Sequence, residues 1–317
     1  MQIDVSVLLN AGLALAAALL VSFIATPLAE AFAIKVGAVD VPKDARRVHD
    51  HPIPRLGGLA IFIGFIMGVV LFAKIDTQLR GILLGSVVIV TIGVIDDITP
   101  LPALLKLIVQ IAAALIAVFF GVKIEILSNP IWWSSSEYIN LSWLSIPITV
   151  VWIVGVTNSV NLIDGLDGLA AGVSAIASMA MLAISFVLGQ FNTTVVLAAL
   201  CGACIGFIPY NFNPAKIFMG DTGALFLGYI LATVSVTGLL KLYTIVSFIV
   251  PLLALGLPIF DTLFAIFRRV VKGQNPMSPD RGHFHHRLID MGLSQKQAVA
   301  ILYAISAILG LSAVLIA

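Results

Sequence analysis

Apolar runs of about 17–25 residues recur along this chain, and that is the length a helix needs to cross the hydrocarbon core of a bilayer. They fall at roughly 5–27, 56–73, 80–95, 104–121, 144–158, 169–188, 194–208, 223–240, 244–267 and 297–316, about ten in all. With 60% hydrophobic and 10% charged residues among 317, and a mean hydropathy of +1.12, the chain does not read as a soluble domain. The expected fold is an all-α polytopic membrane protein of about ten transmembrane helices, forming a single integral-membrane domain over residues 1–317. The first run, Val5–Thr26, follows no basic segment and exceeds a signal-peptide core, so it reads as a retained span.

Alternating these spans sorts the connections into two sets. One contains 28–55, 96–103, 159–168, 209–222 and 268–296; with the adjoining helix ends it carries thirteen of the 17 Lys and Arg residues. The other has only Lys74, Arg80, Lys123 and Lys241. The positive-inside rule then puts the first set in the cytoplasm of a multi-pass protein of the cell membrane. The long outer connection, Val122–Trp143, alternates as Lys-Ile-Glu-Ile and carries Trp132, Trp133, Tyr138 and Trp143. It reads as a short outer β-hairpin anchored at the interface by its aromatics.

The acidic residues sort the same way. Asp96, Asp97, Asp164, Asp167 and Asp221 fall at the cytoplasmic side from three separate loops, with all five histidines. A carboxylate at the middle of a span costs about 2.5–3.5 kcal/mol, so this clustering marks a cytoplasmic active-site cleft. Asn158, Asn161 and Asp164 are spaced by threes, which stacks them on one helical face, and Gly165 and Gly168 end that helix. Asp96 and Asp97 are adjacent and repel unless protonated or bound to a cation. Lys106, ten residues on, suits an anionic group. Asp221 sits in a glycine-flanked turn, Met219-Gly-Asp-Thr-Gly223. Together these oxygens suit Mg²⁺, with Mn²⁺ as the other candidate, over Zn²⁺.

The segment Asp280-Arg281-Gly-His283-Phe-His285-His286-Arg287 offers three histidines between two arginines. Zinc ligation and a phosphate-gripping loop are both open; the flanking arginines favour the anion. Asp261 lies deeper in its span, where an interhelical structural partner is the simpler role. Cys201 and Cys204 stand in an apolar run beside Gly202 and Gly206, as small packing residues. No basic cluster has the aromatic interleaving of a nucleic-acid surface.

Five segments, in order, resemble the polyprenyl-phosphate N-acetylhexosamine-1-phosphate transferases, glycosyltransferase family 4. They are Pro54-Arg-Leu-Gly-Gly58, Asp96-Asp97, Asn158-x-x-Asn-x-x-Asp-Gly-x-Asp-Gly168, Phe218-Met-Gly-Asp-Thr-Gly223 and His283-Phe-His-His-Arg-Leu288. The last is similar to the branch using UDP-N-acetylglucosamine; another UDP-N-acetylhexosamine or UDP-N-acetylmuramoyl-pentapeptide stays as the alternative. The resemblance implies transfer of a sugar 1-phosphate from a UDP-sugar to polyprenyl phosphate, with release of UMP, in an envelope polysaccharide or teichoic acid pathway. It implies Asp221 as a magnesium ligand, with Asp96 and Asp97 where lipid phosphate and metal meet. Asn158, Asn161, Asp164, Asp167 and Asn211 would line the nucleotide-sugar side, and Phe218 would stack on the uracil. Arg281, His283, His285, His286 and Arg287 would hold phosphate oxygens. Direct attack and a phospho-aspartate intermediate both stay open, as does a homodimer. A secondary transporter is the main competing class, but it would place its carboxylates near the midplane and in duplicated halves.

The orientation is testable by cysteine labelling in intact cells, on a background lacking Cys201 and Cys204. A membrane-impermeant reagent is expected to modify position 132 and to spare position 285.

Overall fold

The computed structural model describes residues 5–42, 51–128, 138–238, 245–273 and 282–317. Its helices are α1 (Val5–Val36), α2 (Gly57–Phe72), α3 (Thr77–Ile98), α4 (Ala103–Phe119), α5 (Ser145–Leu162), α6 (Leu169–Val187), α7 (Phe191–Asn211), α8 (Gly220–Gly238), α9 (Ile245–Ala254), α10 (Gly256–Val271), α11 (Phe284–Asp290) and α12 (Gln295–Ile316). Seven helices among the described residues are long and apolar enough to cross a membrane, and α2 and α4 are shorter apolar helices. The protein is therefore a polytopic all-α membrane protein, as the hydropathy pattern predicts.

The expected span at 244–267 is broken in two at Leu255, where α9 ends and α10 begins. Pro258 explains the break. It has no N–H to donate to the carbonyl four residues back, so it suits the first turn of a new helix better than the interior of an old one. The outer hairpin forms from β3 (Ile126–Ser128) and β4 (Tyr138–Asn140), antiparallel, with Ile126 opposite Asn140. Trp132 and Trp133 lie outside the described residues. A second antiparallel pair, β1 (Val39–Asp40) with β2 (Ile53–Pro54), follows α1 on the other side and has no counterpart in the sequence reading.

Helix α8 is the central post. It packs against α5, α3, α2 and α6, and 89% of its most apolar stretch is buried against 28% for the peripheral α1 and α12. Close approach elsewhere depends on small residues, since lipid offers no hydrophobic gain for pushing apolar helices together. Ala14 and Ala18 of α1 sit so near α2 that a Cβ on Gly68 or Gly64 would come within 2.9 or 2.6 Å of their carbonyl oxygens. Gly202 and Gly206 of α7 meet the carbonyls of Leu15 and Leu19 in the same way. The two cysteines are buried within α7, and Cys201 donates to the Ala175 carbonyl of α6 at 3.7 Å, a packing contact.

The connections segregate as the alternation predicts. At one end, Lys74 exchanges backbone bonds with the Asn192 side chain, and Gln78 donates to the Gly121 carbonyl. At the other end, the segment 54–58 runs beside 218–219. Phe218 N–H donates to the Pro54 carbonyl at 2.8 Å, and Gly57 and Gly58 donate back to Phe218 and Met219 at 2.9 Å each. Gly58 lies directly on the backbone of Gly223, where a Cβ has no room. Gly58→Ala is expected to destabilise the protein by about 1–3 kcal/mol through this overlap. Gly155→Ala, which meets nothing within 4 Å, should be neutral or stabilising by up to about 1 kcal/mol. Thermal melting of both variants in detergent checks the contrast.

Candidate active site

Helix geometry separates the two adjacent aspartates. Neighbouring residues on a helix point about a quarter-turn apart and do not face the same partner. Asp97 therefore turns to the start of α8, with its side chain fully buried. Its carboxylate accepts the N–H of Asp221 at 3.0 Å, the N–H of Thr222 at 3.0 Å and the Thr222 hydroxyl at 2.7 Å. The Arg55 guanidinium lies 3.3 Å away. Asp97 is expected from sequence to be a metal ligand; here both oxygens are committed to capping α8, where carboxylates are favoured by the exposed N–H groups and the helix dipole. Gly220 makes this turn at φ +71, and a Cβ there would strike the Asp97 carboxylate and the Arg55 carbonyl.

Asp96 points the other way. One oxygen accepts the Leu101 N–H at 2.7 Å, and the other lies 3.0 Å from the Lys106 ammonium. The same ammonium is 2.8 Å from Asp221, whose second oxygen receives Asn161 at 3.3 Å. Asp221 thus touches α4 through one oxygen and α5 through the other.

Beside Asp221 opens a cavity of about 490 Å³. Its walls include Arg55, Asn161, Asp164, Asp167, Phe218 and His286. Asp164 is half-buried, and its carboxyl is raised to about 7, first by burial and then by the negative charges of Asp221 and Asp97. A carboxylate in that setting is stabilised by any cation that enters. Asp167 stands at the other end of the loop, receiving Asn213 at 2.9 Å and the Ala215 N–H at 3.1 Å.

Several expected residues build the cavity without facing it freely. Asn158 pairs with Gln110 between α5 and α4, away from the cavity walls. Asn211 reaches the cavity, but its carboxamide is spent on the Gly168 N–H at 3.0 Å and the Ile217 carbonyl at 2.9 Å. The histidine motif divides similarly. His283 is buried, with Nδ1 2.7 Å from Asp261, whose other oxygen accepts the Phe284 N–H at 2.9 Å. His285 is 3% exposed and packs on Gly165, whose missing Cβ makes room for its ring. Arg287 is exposed and lies 5.3 Å from the Phe264 ring, outside the cavity wall. Of the motif's described residues, only His286 lines the cavity, and Arg281 lies outside the described residues.

The sequence reading assigned no role to Arg55, Asp40, His51, Asn213 or Gln295, all of which line the cavity. Arg55 carried a signal, as the one charge in the Pro54–Gly58 motif. Gln295 did not: it follows the Ser294 cap and reads as ordinary helix start.

His285 supplies a pH test. Burial, then the neighbouring His286 and His283, push its pKa down from 6.5 to about 3, although Asp261 opposes the shift. Between those values the unfolded chain binds the proton and the folded protein does not, so stability rises with pH across that window. Melting temperature is therefore expected to fall as pH drops below about 6.5, and His285→Asn should flatten that dependence relative to wild type. Parallel slopes in the two proteins would refute a buried neutral imidazole.

The sequence profile of the family described as Glycosyl transferase family 4 matches residues 79–239. A probable undecaprenyl-phosphate N-acetylglucosaminyl 1-phosphate transferase of Bacillus subtilis is 43% identical over 94% of this chain and 82% of its own length. A decaprenyl-phosphate N-acetylglucosaminephosphotransferase of Mycolicibacterium smegmatis is 35% identical over 90% of this chain and 77% of its own. An undecaprenyl-phosphate alpha-N-acetylglucosaminyl 1-phosphate transferase of Thermotoga maritima is 31% identical, covering 84% and 78% respectively. With that identity across nearly its whole length, and with its five motifs gathered at one end of the helix bundle, the chain belongs to glycosyl transferase family 4.

Proposed function

We propose that the protein transfers N-acetylglucosamine 1-phosphate from UDP-N-acetylglucosamine to a membrane polyprenyl phosphate such as undecaprenyl phosphate, releasing UMP. Its cavity faces the cytoplasm, on the side where Lys and Arg concentrate. The reaction opens an envelope polysaccharide or teichoic acid pathway. The observation that carries this reading is the position of Asp221, with a polar cavity on one side and Lys106 and Asp96 on the other. Two anionic substrates can thus approach one carboxylate from opposite directions. The relatives' names supply the sugar and the lipid class.

The oxygens present fit a divalent cation. Asp164 is held up near neutrality by burial and then by the charges of Asp221 and Asp97, and Lys106 already places positive charge between Asp96 and Asp221. Asp221 and Asp164 are the residues that would hold Mg²⁺, with Mn²⁺ as a substitute. The bound ion would neutralise diphosphate charge and stabilise the leaving UMP.

The protein's own groups do the positioning, which carries most of phosphoryl-transfer catalysis. Phe218 presents an aromatic face for the base, and Asp167 an acceptor edge held rigid by Asn213 and Ala215. His286 and Arg55 offer donors to phosphate oxygens. Asn161 orients Asp221, and Asp97 fixes the turn that carries it. A lipid phosphate oxygen bonds to the β-phosphorus as the bond to the UMP oxygen breaks. No base is required, because a phosphate monoester has a second pKa of about 6 and is mostly ionised near neutrality. Asp96 then serves to keep Lys106 beside Asp221, on the side from which the lipid phosphate arrives.

Purified protein with Mg²⁺, undecaprenyl phosphate and UDP-N-acetylglucosamine is expected to release UMP, and none when chelator replaces Mg²⁺. Asp221→Asn should lower turnover by about a hundredfold or more while the protein still folds. Undiminished UMP release by that variant would remove Asp221 from the proposed chemistry.

A further inference from the structure

We infer that Lys106 is a built-in stand-in for the divalent cation: it neutralises Asp96 and Asp221 in the metal-free enzyme and is displaced when the metal binds. This rests on the metal reading above and adds to it a competition inside the site. The Lys106 ammonium lies 3.0 Å from Asp96 and 2.8 Å from Asp221, between oxygens from two different helices. Asp96 cannot move away, because its other oxygen is fixed by the Leu101 N–H at 2.7 Å. Asp221 cannot move either, since it opens α8 on the turn that Asp97 caps. Two fixed carboxylates in a partly dehydrated site repel unless one takes a proton or a cation stands between them, and here the cation is present. Arg55, the other cation at this turn, is engaged by Asp97. The gap that Lys106 fills is therefore a cation position, and an ion that Asp221 and Asp164 hold from the cavity competes with the ammonium for the charge of the Asp221 carboxylate.

The lysine is built to leave. Its charge rides on a flexible four-carbon stem, unlike the planar fork of an arginine. Its side chain is 24% exposed, so part of it already faces outward. The helix beneath it stays put: Gln110, one turn along α4, is buried and paired with Asn158 of α5. Displacement is thus a side-chain rotation with no helix movement. The released ammonium becomes available to a phosphate oxygen arriving on the same side. Metal binding and lipid-phosphate binding are then coupled, each favouring the rotated lysine.

Titration of the full-length protein in detergent with Mn²⁺ alone, read by electron paramagnetic resonance and by melting temperature, tests this without any substrate. Without metal, Lys106→Met is expected to melt below wild type, because two carboxylates lose their counter-ion. Mn²⁺ should then bind Lys106→Met about tenfold more tightly than wild type and raise its melting temperature more. Lys106→Arg, which keeps the charge, should bind Mn²⁺ no more tightly than wild type. Equal or weaker Mn²⁺ binding by Lys106→Met overturns the stand-in role and leaves the metal reading intact. Mn²⁺ binding that Asp221→Asn leaves unchanged overturns both, because the ion would then sit elsewhere.

Discussion

The buried carboxylate of Asp97 is the tie on which this architecture depends. It stands at the end of α3 and takes two backbone N–H groups and a hydroxyl at the start of α8, the most buried of the spanning helices. It also pairs with Arg55, in the segment whose backbone runs beside Phe218 and Met219. Three distant stretches of sequence thus meet at one side chain. A fully buried carboxylate is tolerated only when its hydrogen-bonding capacity is filled, and here four contacts fill it. Removing one partner would leave an unpaired buried charge, which costs far more than the pair contributes.

The site inherits its location from the same physics. Inside hydrocarbon every backbone group must be satisfied within its helix, so irregular backbone gathers at helix ends. The turns that present Asp164, Asp221 and His286 are such ends, and the glycines among them let backbone pass where a Cβ could not. Gly93 of α3 shows the tolerance involved: a Cβ there would come within 2.5 Å of the Thr222 Cα. Sites on packed helix ends hold their geometry better than sites on long loops. That suits the proposed reaction, which is governed by the placement of two anions and a cation.

Much of this was legible in the sequence. Apolarity placed the helices in order, although among the described residues seven, against about ten expected, are long and apolar enough to cross a membrane. Charge asymmetry sorted the connections into the two groups that the structure brings together. Residue type and spacing also located Asp164, Asp221 and Asn161 at one cavity, and the family resemblance added Phe218. What spacing could not show was direction. Asn158 and Asn161 share a face by periodicity, yet one turn of helix carries Asn158 away from the cavity and into a pair with Gln110. The partner lies 48 residues away in the chain, and no local pattern encodes it. The break at Leu255 was missed because composition stays apolar through it, and only Pro251, Gly256 and Pro258 mark it.

Asp261 shows why counting carboxylates overstates the chemistry. Like Asp97, it leaves one helix to seize the first N–H of another and a polar side chain beside it, here Phe284 and His283. Both helices that these residues tie down carry groups of the cavity wall: Asp221 on α8 and His286 on α11. The two aspartates face away from the cavity, so substrate is not what fixes their identity. A neutral carboxamide keeps the shape but supplies one acceptor oxygen where two are used, and adds an N–H₂ facing other donors. Aspartate at these positions is therefore set by helix-end geometry, and the proposed chemistry rests on the carboxylates left with an open side.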